Sequence, residues 1–249
     1  MAIGLCRFCL EERPLIEAHI IPKGFFERIR TDEANILINE SDYPKRSPQG
    51  IYDKGILCGP CDNIIGKWDQ YAQEALPAEM SAFTLIADRQ IIGGWERPDY
   101  DYELLKLFFI SLVWRASIST HPFYVGISIG SKFEEEARLM LREGRPGGAH
   151  DFGVVIARFV EPVGQAFFDP HTERMNGINH VRFYLAGFIA YMKVDQRPYD
   201  PGLAHFLLAE GHPLRIIKRS IHQGGEAEVL SKVFNASKNK RRRGQPTAL

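Results

Sequence analysis

Hydrophobic positions in the middle of the chain follow helical spacing in two segments. Residues 102–118 are apolar at almost every position, which predicts a helix that is buried on nearly all sides. Residues 132–143 instead place Phe133, Ala137 and Met140 on one face and charged residues on the other, as in a surface helix. We therefore expect one central helix and one helix that covers the core from outside.

The N-terminal part shows a strand followed later by a helix. Residues 15–23 form a short apolar stretch that contains His19 and stops near Pro22, which predicts a strand with Glu17 and His19 on one face. Further on, apolar residues recur every three to four positions from Ile64 to Ala72. Asp62 precedes them and is a good N-cap, so a helix is predicted to begin there.

The second half adds strands. Residues 152–160, 181–194 and 214–218 are rich in β-branched and aromatic residues. We therefore predict an α+β fold in which a small N-terminal module, residues 1–76, precedes a larger α+β domain, residues 101–231, with a small antiparallel sheet. Residues 77–100, with Pro77 and Gly93-Gly94, are predicted to connect the two.

Some charged and aromatic residues of the second half have a second interpretation as ligand contacts. Lys106 and Arg115 could reach a phosphate, but long cations on buried helices usually extend to solvent. Aromatic residues on the strands could stack on bases, but they more often belong to the core. These aromatic residues are Phe159, Phe183, Tyr184, Phe188 and Tyr191.

Composition and charge narrow the class of protein. The 249 residues are 45% hydrophobic and 25% charged, which is typical of a folded globular chain and excludes disorder throughout. The longest apolar run is far shorter than a membrane span and no segment resembles a signal peptide, so we expect a cytoplasmic protein without a membrane partner. Basic and acidic residues number 31 each, but residues 232–249 hold six basic residues and no acidic one, leaving −6 on residues 1–231.

The basic C-terminal segment suggests phosphate contacts. It has no apolar periodicity and is predicted to be disordered. A solvated terminus would explain it equally well; if it binds nucleic acid, it adds salt-dependent affinity without sequence specificity. The candidate contacts are Lys238, Lys240, Arg241, Arg242 and Arg243.

Four cysteines are the most informative chemical feature. Cys6 and Cys9 form one Cys-x2-Cys pair, and Cys58 and Cys61 form another. Two such pairs with no cysteine left over favour a tetrahedral structural zinc site over disulfides or thiol redox chemistry. One zinc ion per chain is therefore expected.

The motifs around these cysteines resemble those of the HNH or His-Me finger nucleases. The similarity is to zinc-containing members such as the phage endonuclease VII family. The motifs that carry it are the first cysteine pair, Glu-Ala-His-Ile-Ile-Pro at residues 17–22, Lys-Gly-Ile-Leu-Cys at residues 54–58 and Cys-Asp-Asn at residues 61–63. The resemblance covers residues 3–76 only. It implies a ββα-metal fold around the zinc, a second divalent ion, Mg²⁺ or Mn²⁺, and hydrolysis of phosphodiester bonds in nucleic acid, DNA before RNA.

Residue by residue, the resemblance assigns roles to five positions. His19 is the general base that activates water, and Asp53 holds the loop and orients the histidine. Asp62 is the ligand of the catalytic ion, with Asn63 as the alternative if the register slips by one. Glu17 could reach the ion or orient the imidazole.

One departure separates this chain from the family pattern. Many members have aspartate directly before the base histidine as a second metal ligand, and this chain has Ala18. Ala18→Asp is thus expected to restore a ligand. The alternative function is a catalytically inactive zinc module that binds nucleic acid or protein. By analogy with HNH proteins that carry an attached domain, a role in phage defence, restriction or toxicity is expected, with residues 101–231 as a sensor, a partner surface or an oligomer contact.

Overall fold

The structure is a computed structural model, and it confirms the α+β class. It describes residues 2–28, 35–38, 45–47, 50–86, 93–162, 166–199 and 201–231. The predicted contacts of the basic C-terminal segment, residues 232–249, lie outside these ranges.

Five helices are present in the described part of the chain. The longest two, α2 and α3, pack against each other. Short 3₁₀ turns occupy Pro122–Tyr124 and Ile221–Gln223. The helices are α1 (Lys23–Arg28), α2 (Gly59–Ala75), α3 (Tyr102–Ile118), α4 (Ser131–Glu143) and α5 (Pro201–Ala204).

Local sequence explains where the longer helices begin and end. The Asp101 side chain accepts a hydrogen bond from Leu104 N at 2.9 Å and caps the start of α3. Helix α4 ends at Gly144, whose φ of 62° is the left-handed conformation typical of a helix C-terminus. Helix α2 begins at Gly59 with Cys58 as its N-cap, so the prediction that Asp62 caps this helix is wrong; Asp62 lies in the first turn.

Within the described residues, the strands form four sheets. Strands β1–β2 and β3–β6 are antiparallel pairs, and β10-β4-β5 is a three-stranded sheet with β10 parallel to β4. The remaining strands form the large sheet described next. The strands are β1 (Ile3–Leu5), β2 (Glu12–Pro14), β3 (Ala18–His19), β4 (Asn35–Ile38), β5 (Lys45–Ser47), β6 (Tyr52–Asp53), β7 (Thr84–Ile86), β8 (Gly94–Arg97), β9 (Val154–Phe159), β10 (Ala166–Phe168), β11 (His171–Met175), β12 (Ile178–Leu185), β13 (Phe188–Lys193) and β14 (Leu214–Arg219).

The main sheet is larger than predicted and not purely antiparallel. It has seven strands in the order β11-β12-β13-β9-β14-β8-β7, and β14 runs parallel to β9. Two tight turns, Asn176-Gly177 and Ala186-Gly187, have positive φ at both residues and join β11, β12 and β13 as hairpins. Residues 77–100, expected to be a connector, contribute β7 and β8 to this sheet.

The central strands of the main sheet are buried on both faces. Along β9, Val154 and Ile156 belong to a hydrophobic cluster that also contains α2, α3 and α4, whereas Val155 and Phe159 belong to a second cluster on the opposite face. The first cluster also includes Cys6, so one continuous core joins the N-terminal module to the rest of the described chain. The predicted division between residues 1–76 and 101–231 stays a prediction.

Helix α3 is buried on nearly all sides, as predicted, and Glu103 near its start is exposed. Phe108, Phe109 and Trp114 are at most 1% exposed. The expectation that Lys106 and Arg115 extend to solvent is wrong, because both are 0% exposed. No helix in the described ranges has both the length and the apolar character that a membrane span requires.

Candidate zinc centre and active site

The first cysteine pair lies in the turn of the β1–β2 hairpin. Cys6 N donates to Glu11 O at 2.9 Å, and Leu10 N donates to Cys6 O at 2.8 Å. Leu10 has a φ of 62°, so the chain turns sharply directly after Cys9. This turn directs both thiols toward the start of α2.

The second pair is built into the start of α2. Cys58 is the N-cap and Cys61 lies in the first turn, and Cys58 N donates to Cys6 Sγ at 3.4 Å. All four cysteines are free thiols, and their sulfur atoms lie within 4.8 Å of one another. In a tetrahedral zinc site with Zn–S bonds of about 2.3 Å, sulfur atoms are separated by roughly 3.8 Å. The four-cysteine cluster therefore fits one structural zinc ion.

The environment of the thiols suits metal binding. Burial alone would raise the pKa of Cys6, but backbone N–H groups of Cys9, Cys58 and Phe8 donate to its sulfur and lower the pKa to about 7. Burial raises the pKa of Cys61, whose sulfur lies beside those of Cys58 and Cys6. A cation in the cluster would stabilise the thiolate form of all four groups.

His19 lies on a very short strand pair next to this cluster. Strand β3 pairs with β6 so that Ala18 is opposite Asp53 and His19 is opposite Tyr52. The His19 ring is partly exposed, and its centroid lies 6.0 Å from that of Tyr52 in an edge-on arrangement. The predicted strand over residues 15–23 is thus reduced to two residues, Ala18 and His19, and the chain enters α1 at Lys23.

Asp53 connects this strand pair to helix α3. Its Oδ1 accepts from Gly55 N at 2.8 Å, and its Oδ2 accepts from Ser119 Oγ, Thr120 N and Thr120 Oγ1 at 2.9, 2.8 and 3.1 Å. Burial would raise the pKa of Asp53, but these four donors outweigh it and lower the pKa below the usual aspartate value. Asp53 therefore ties the residues after β6 to the end of α3; the role that the resemblance implies, orientation of His19, stays a prediction.

Asp62 is partly buried in the first turn of α2. Burial raises the pKa of the Asp62 carboxyl, and nearby positive charge, that of Arg115 first, opposes that increase. A partly buried carboxylate of this kind would be stabilised by a cation. Its neighbour Asn63 is exposed on the surface of α2.

Glu17 has a partner on the protein surface. Its carboxylate forms an ion pair with Lys54 Nζ at 2.8 Å, and both side chains are more than half exposed. Strand β3 begins at Ala18, one residue after Glu17. The β3–β6 register nevertheless places Glu17 opposite Lys54, and Lys54 Nζ lies over the Tyr52 ring that His19 contacts, so Glu17 and His19 are on the same side of the strand pair.

Position 18, where the family pattern has an aspartate before the histidine, is buried in this structure. Ala18 is 0% exposed and lies directly opposite buried Asp53. An aspartate at position 18 would place a second carboxylate in the same buried space, so Ala18→Asp is a poor way to restore a metal ligand.

A second metal centre of three or more ligands is not formed by the described residues. Within these ranges, the four cysteines are the only group of at least three histidine, cysteine, aspartate or glutamate side chains whose ligand atoms lie within 4.8 Å of one another. A divalent ion near His19 would therefore depend on Asp62 as its main protein ligand, with water or a phosphate completing its coordination.

Two residues that the sequence analysis did not assign to this site lie directly beside it. Arg115 of α3 forms a bidentate ion pair with Asp69 of α2, with N–O distances of 2.6 and 2.9 Å. Arg115 Nη1 also donates to the backbone carbonyl of His19 at 2.6 Å. A charged residue at a buried position of an otherwise apolar helix needs a buried partner, and this is the signal that could have identified Arg115.

The candidate active site is thus His19, Asp62, Asp53, Asp69 and Arg115, brought together from β3, α2, β6 and α3. Comparison of the chain with protein-family models, with curated proteins and with solved structures found no significant match.

Proposed function

We propose that this protein is a divalent-metal-dependent nuclease of the HNH type, which hydrolyses phosphodiester bonds of nucleic acid. The observation that carries the proposal is the placement of His19 and Asp62. Strand β3 carries His19, and the first turn of α2 carries Asp62 directly after the cluster residue Cys61. Arg115 joins the two elements, because it donates to the His19 carbonyl and pairs with Asp69 of α2.

The strand, strand and helix order supports the proposal. Strands β3 and β6 pair with each other although α1, β4 and β5 lie between them in sequence, and helix α2 follows β6. One cysteine pair precedes β3 and the other lies at the start of α2, in the order in which the sequence motifs occur. The four cysteines would hold zinc in a closed shell, so this ion would stabilise the fold and take no part in hydrolysis.

The chemistry would be divided between two side chains. A neutral His19 imidazole would take a proton from a water molecule as the water oxygen bonds to phosphorus and the bond to the 3′-oxygen breaks. Asp62 would hold a divalent ion, which supplies positive charge to the phosphoryl and leaving oxygens. Asp53 and Arg115 would fix the two strands that carry the base.

The test is cleavage of plasmid DNA and of single-stranded RNA with Mg²⁺ or Mn²⁺. His19→Ala and Asp62→Ala should each abolish cleavage but leave zinc content and melting temperature close to wild type, and only Asp62→Ala should weaken Mg²⁺ binding. His212→Ala is the matched control, because this exposed histidine lies outside the site. If wild type and His19→Ala behave identically with every metal and substrate, the nuclease proposal is wrong.

The second candidate function is a zinc-containing module that binds nucleic acid or protein without cutting. It is favoured by one observation: within the described residues, no third acidic or histidine ligand joins His19 and Asp62. Such a module would bind nucleic acid equally well with and without Mg²⁺, and His19→Ala would not change this binding.

A further inference from the structure

Arg115 is a fully buried cation in the last turns of α3. Its side chain is 0% exposed, and Nε donates to Ser111 O at 3.3 Å within its own helix. The remaining donors reach α2 and β3, two of the three other elements of the candidate active site. The Asp69 carboxylate accepts hydrogen bonds from Nη1 and Nη2 of the guanidinium, and the His19 carbonyl accepts a third hydrogen bond, from Nη1.

These three hydrogen bonds fix the position of the Arg115 guanidinium more tightly than a single hydrogen bond would. The guanidinium is planar and rigid, so a bidentate carboxylate and a third acceptor define its position and its orientation. Because Asp69 belongs to α2 and His19 to β3, the Arg115 side chain sets the position of the strand relative to the helix.

Asp69 also lies in register with the proposed metal ligand. It follows Asp62 by seven residues, or about two helical turns, so both carboxylates point from the same face of α2. The charge of Asp69 interacts with those of Asp62 and His19. The helix that would hold the ion is therefore tied, through Arg115, to the backbone of the residue that would act as base.

The strand pair needs such an anchor. Strands β3 and β6 pair over only two residues each, far too few to be stable on their own. The C-terminal end of α3 holds both of them: Arg115 holds β3 at the His19 carbonyl, and Ser119 and Thr120 hold β6 at Asp53.

We propose that Arg115, oriented by Asp69, is the positioning residue of the active site and sets the distance between the His19 imidazole and Asp62. The inference rests on the proposed nuclease function and deepens it. It makes helix α3, which lies outside the segment with HNH-like motifs, an integral part of the catalytic unit.

The decisive variant removes both charges together. Arg115→Met with Asp69→Leu replaces a buried ion pair by apolar side chains of similar size, a change that usually leaves the free energy of unfolding near that of wild type. The His19 carbonyl then loses its Arg115 donor. We expect zinc to be retained, kcat to fall by about 100-fold as for a displacement of roughly 1 Å, and KM to change little.

A second measurement does not depend on catalysis. The Cε1–H signal of the His19 imidazole, assigned by its absence in His19→Ala, should shift at constant pH in the double variant. Arg115→Lys keeps a charge opposite Asp69 but cannot form the three-way contact, so it should reproduce the shift and the loss of kcat.

Glu226→Gln is the matched control. Glu226 is also buried and pairs with Arg182 and Arg219, but on the opposite face of the main sheet. This variant should lose stability without changing the His19 signal or kcat.

The outcomes separate the two proposals. The positioning role is refuted if the folded double variant has the His19 signal and the kcat of wild type. If the double variant does not fold, Arg115→Lys takes its place in this comparison. If wild type never cleaves nucleic acid, the nuclease proposal fails, and the His19 signal alone still decides whether Arg115 positions this histidine.

Discussion

The four-cysteine cluster and the His19–Asp62 site lie side by side but are assembled in different ways. Each cysteine pair is closed by hydrogen bonds within a few residues, and the two turns together supply every ligand. The His19–Asp62 site instead depends on Arg115, Ser119 and Thr120, which are about 50 to 100 residues away in sequence from the residues they hold. Local spacing thus shapes each half of the four-cysteine cluster, and tertiary packing brings the halves together across 52 residues. In the neighbouring polar site, even the individual side chains are placed by tertiary contacts.

Of the changes predicted here, loss of zinc should have the largest effect on the four-cysteine cluster and the His19–Asp62 site. Cys58→Ser removes one of the four thiol ligands, and structural zinc in small modules contributes roughly 10–16 kcal/mol of apparent binding free energy. We expect the zinc content to fall from one ion per chain to near zero. Amide hydrogen exchange should show residues 2–28 and 50–76 unprotected, while β12 and β13 keep protection.

A zinc-selective chelator added to wild type is the control, since it should reproduce the exchange pattern without a mutation. Full protection of residues 2–28 in a zinc-free sample would show that the hydrophobic core, and not the metal, holds the module.

Removal of the Asp53 carboxylate should have an intermediate effect. Asp53→Ala leaves the donors of Gly55, Ser119 and Thr120 without their acceptor, which should lower the free energy of unfolding by about 1–3 kcal/mol at pH 7. Zinc content should not change, because the cysteine turns form their own hydrogen bonds. Urea unfolding and metal analysis measure the two quantities.

The same substitution has a defined pH dependence. The pKa of Asp53 is lower in the folded protein than the ordinary value of about 3.9, so its contribution is complete above that value and is lost as the pH falls through the folded-state pKa. The stability difference between wild type and Asp53→Ala should therefore be constant near neutral pH and shrink in acid. A difference that is independent of pH would contradict the role of the ionised carboxylate.

Neutralisation of Glu17 should have the smallest effect. Its ion pair with Lys54 is exposed at the surface, where such pairs contribute little. Glu17→Gln should leave the melting temperature, the zinc content and the cleavage rate unchanged, with Lys54→Gln as the matched control. A large loss of cleavage in Glu17→Gln alone would show that Glu17 leaves Lys54 to act in the site.

Sequence pattern predicted the parts of the fold that depend on burial of continuous segments. Helix α3 matches the predicted residues 102–118, because an apolar run of this length can be accommodated only inside a core. The main sheet was underestimated, since β7, β8 and β11 are short and the parallel pairing of β9 with β14 joins residues about 60 positions apart. Pairing over such distances leaves no local signal.

The amino-acid sequence by itself predicted the four-cysteine cluster, because two Cys-x2-Cys pairs with no cysteine left over favour one tetrahedral site. It also singled out His19, Asp53 and Asp62 as candidates by residue type and spacing. Only the tertiary structure decided what surrounds them. It buried Arg115 against Asp69 and the His19 carbonyl, joined Asp53 to the end of α3, and left Glu17 at the surface with Lys54. A buried charge must find its partner wherever packing brings one, and packing is a property of the whole chain.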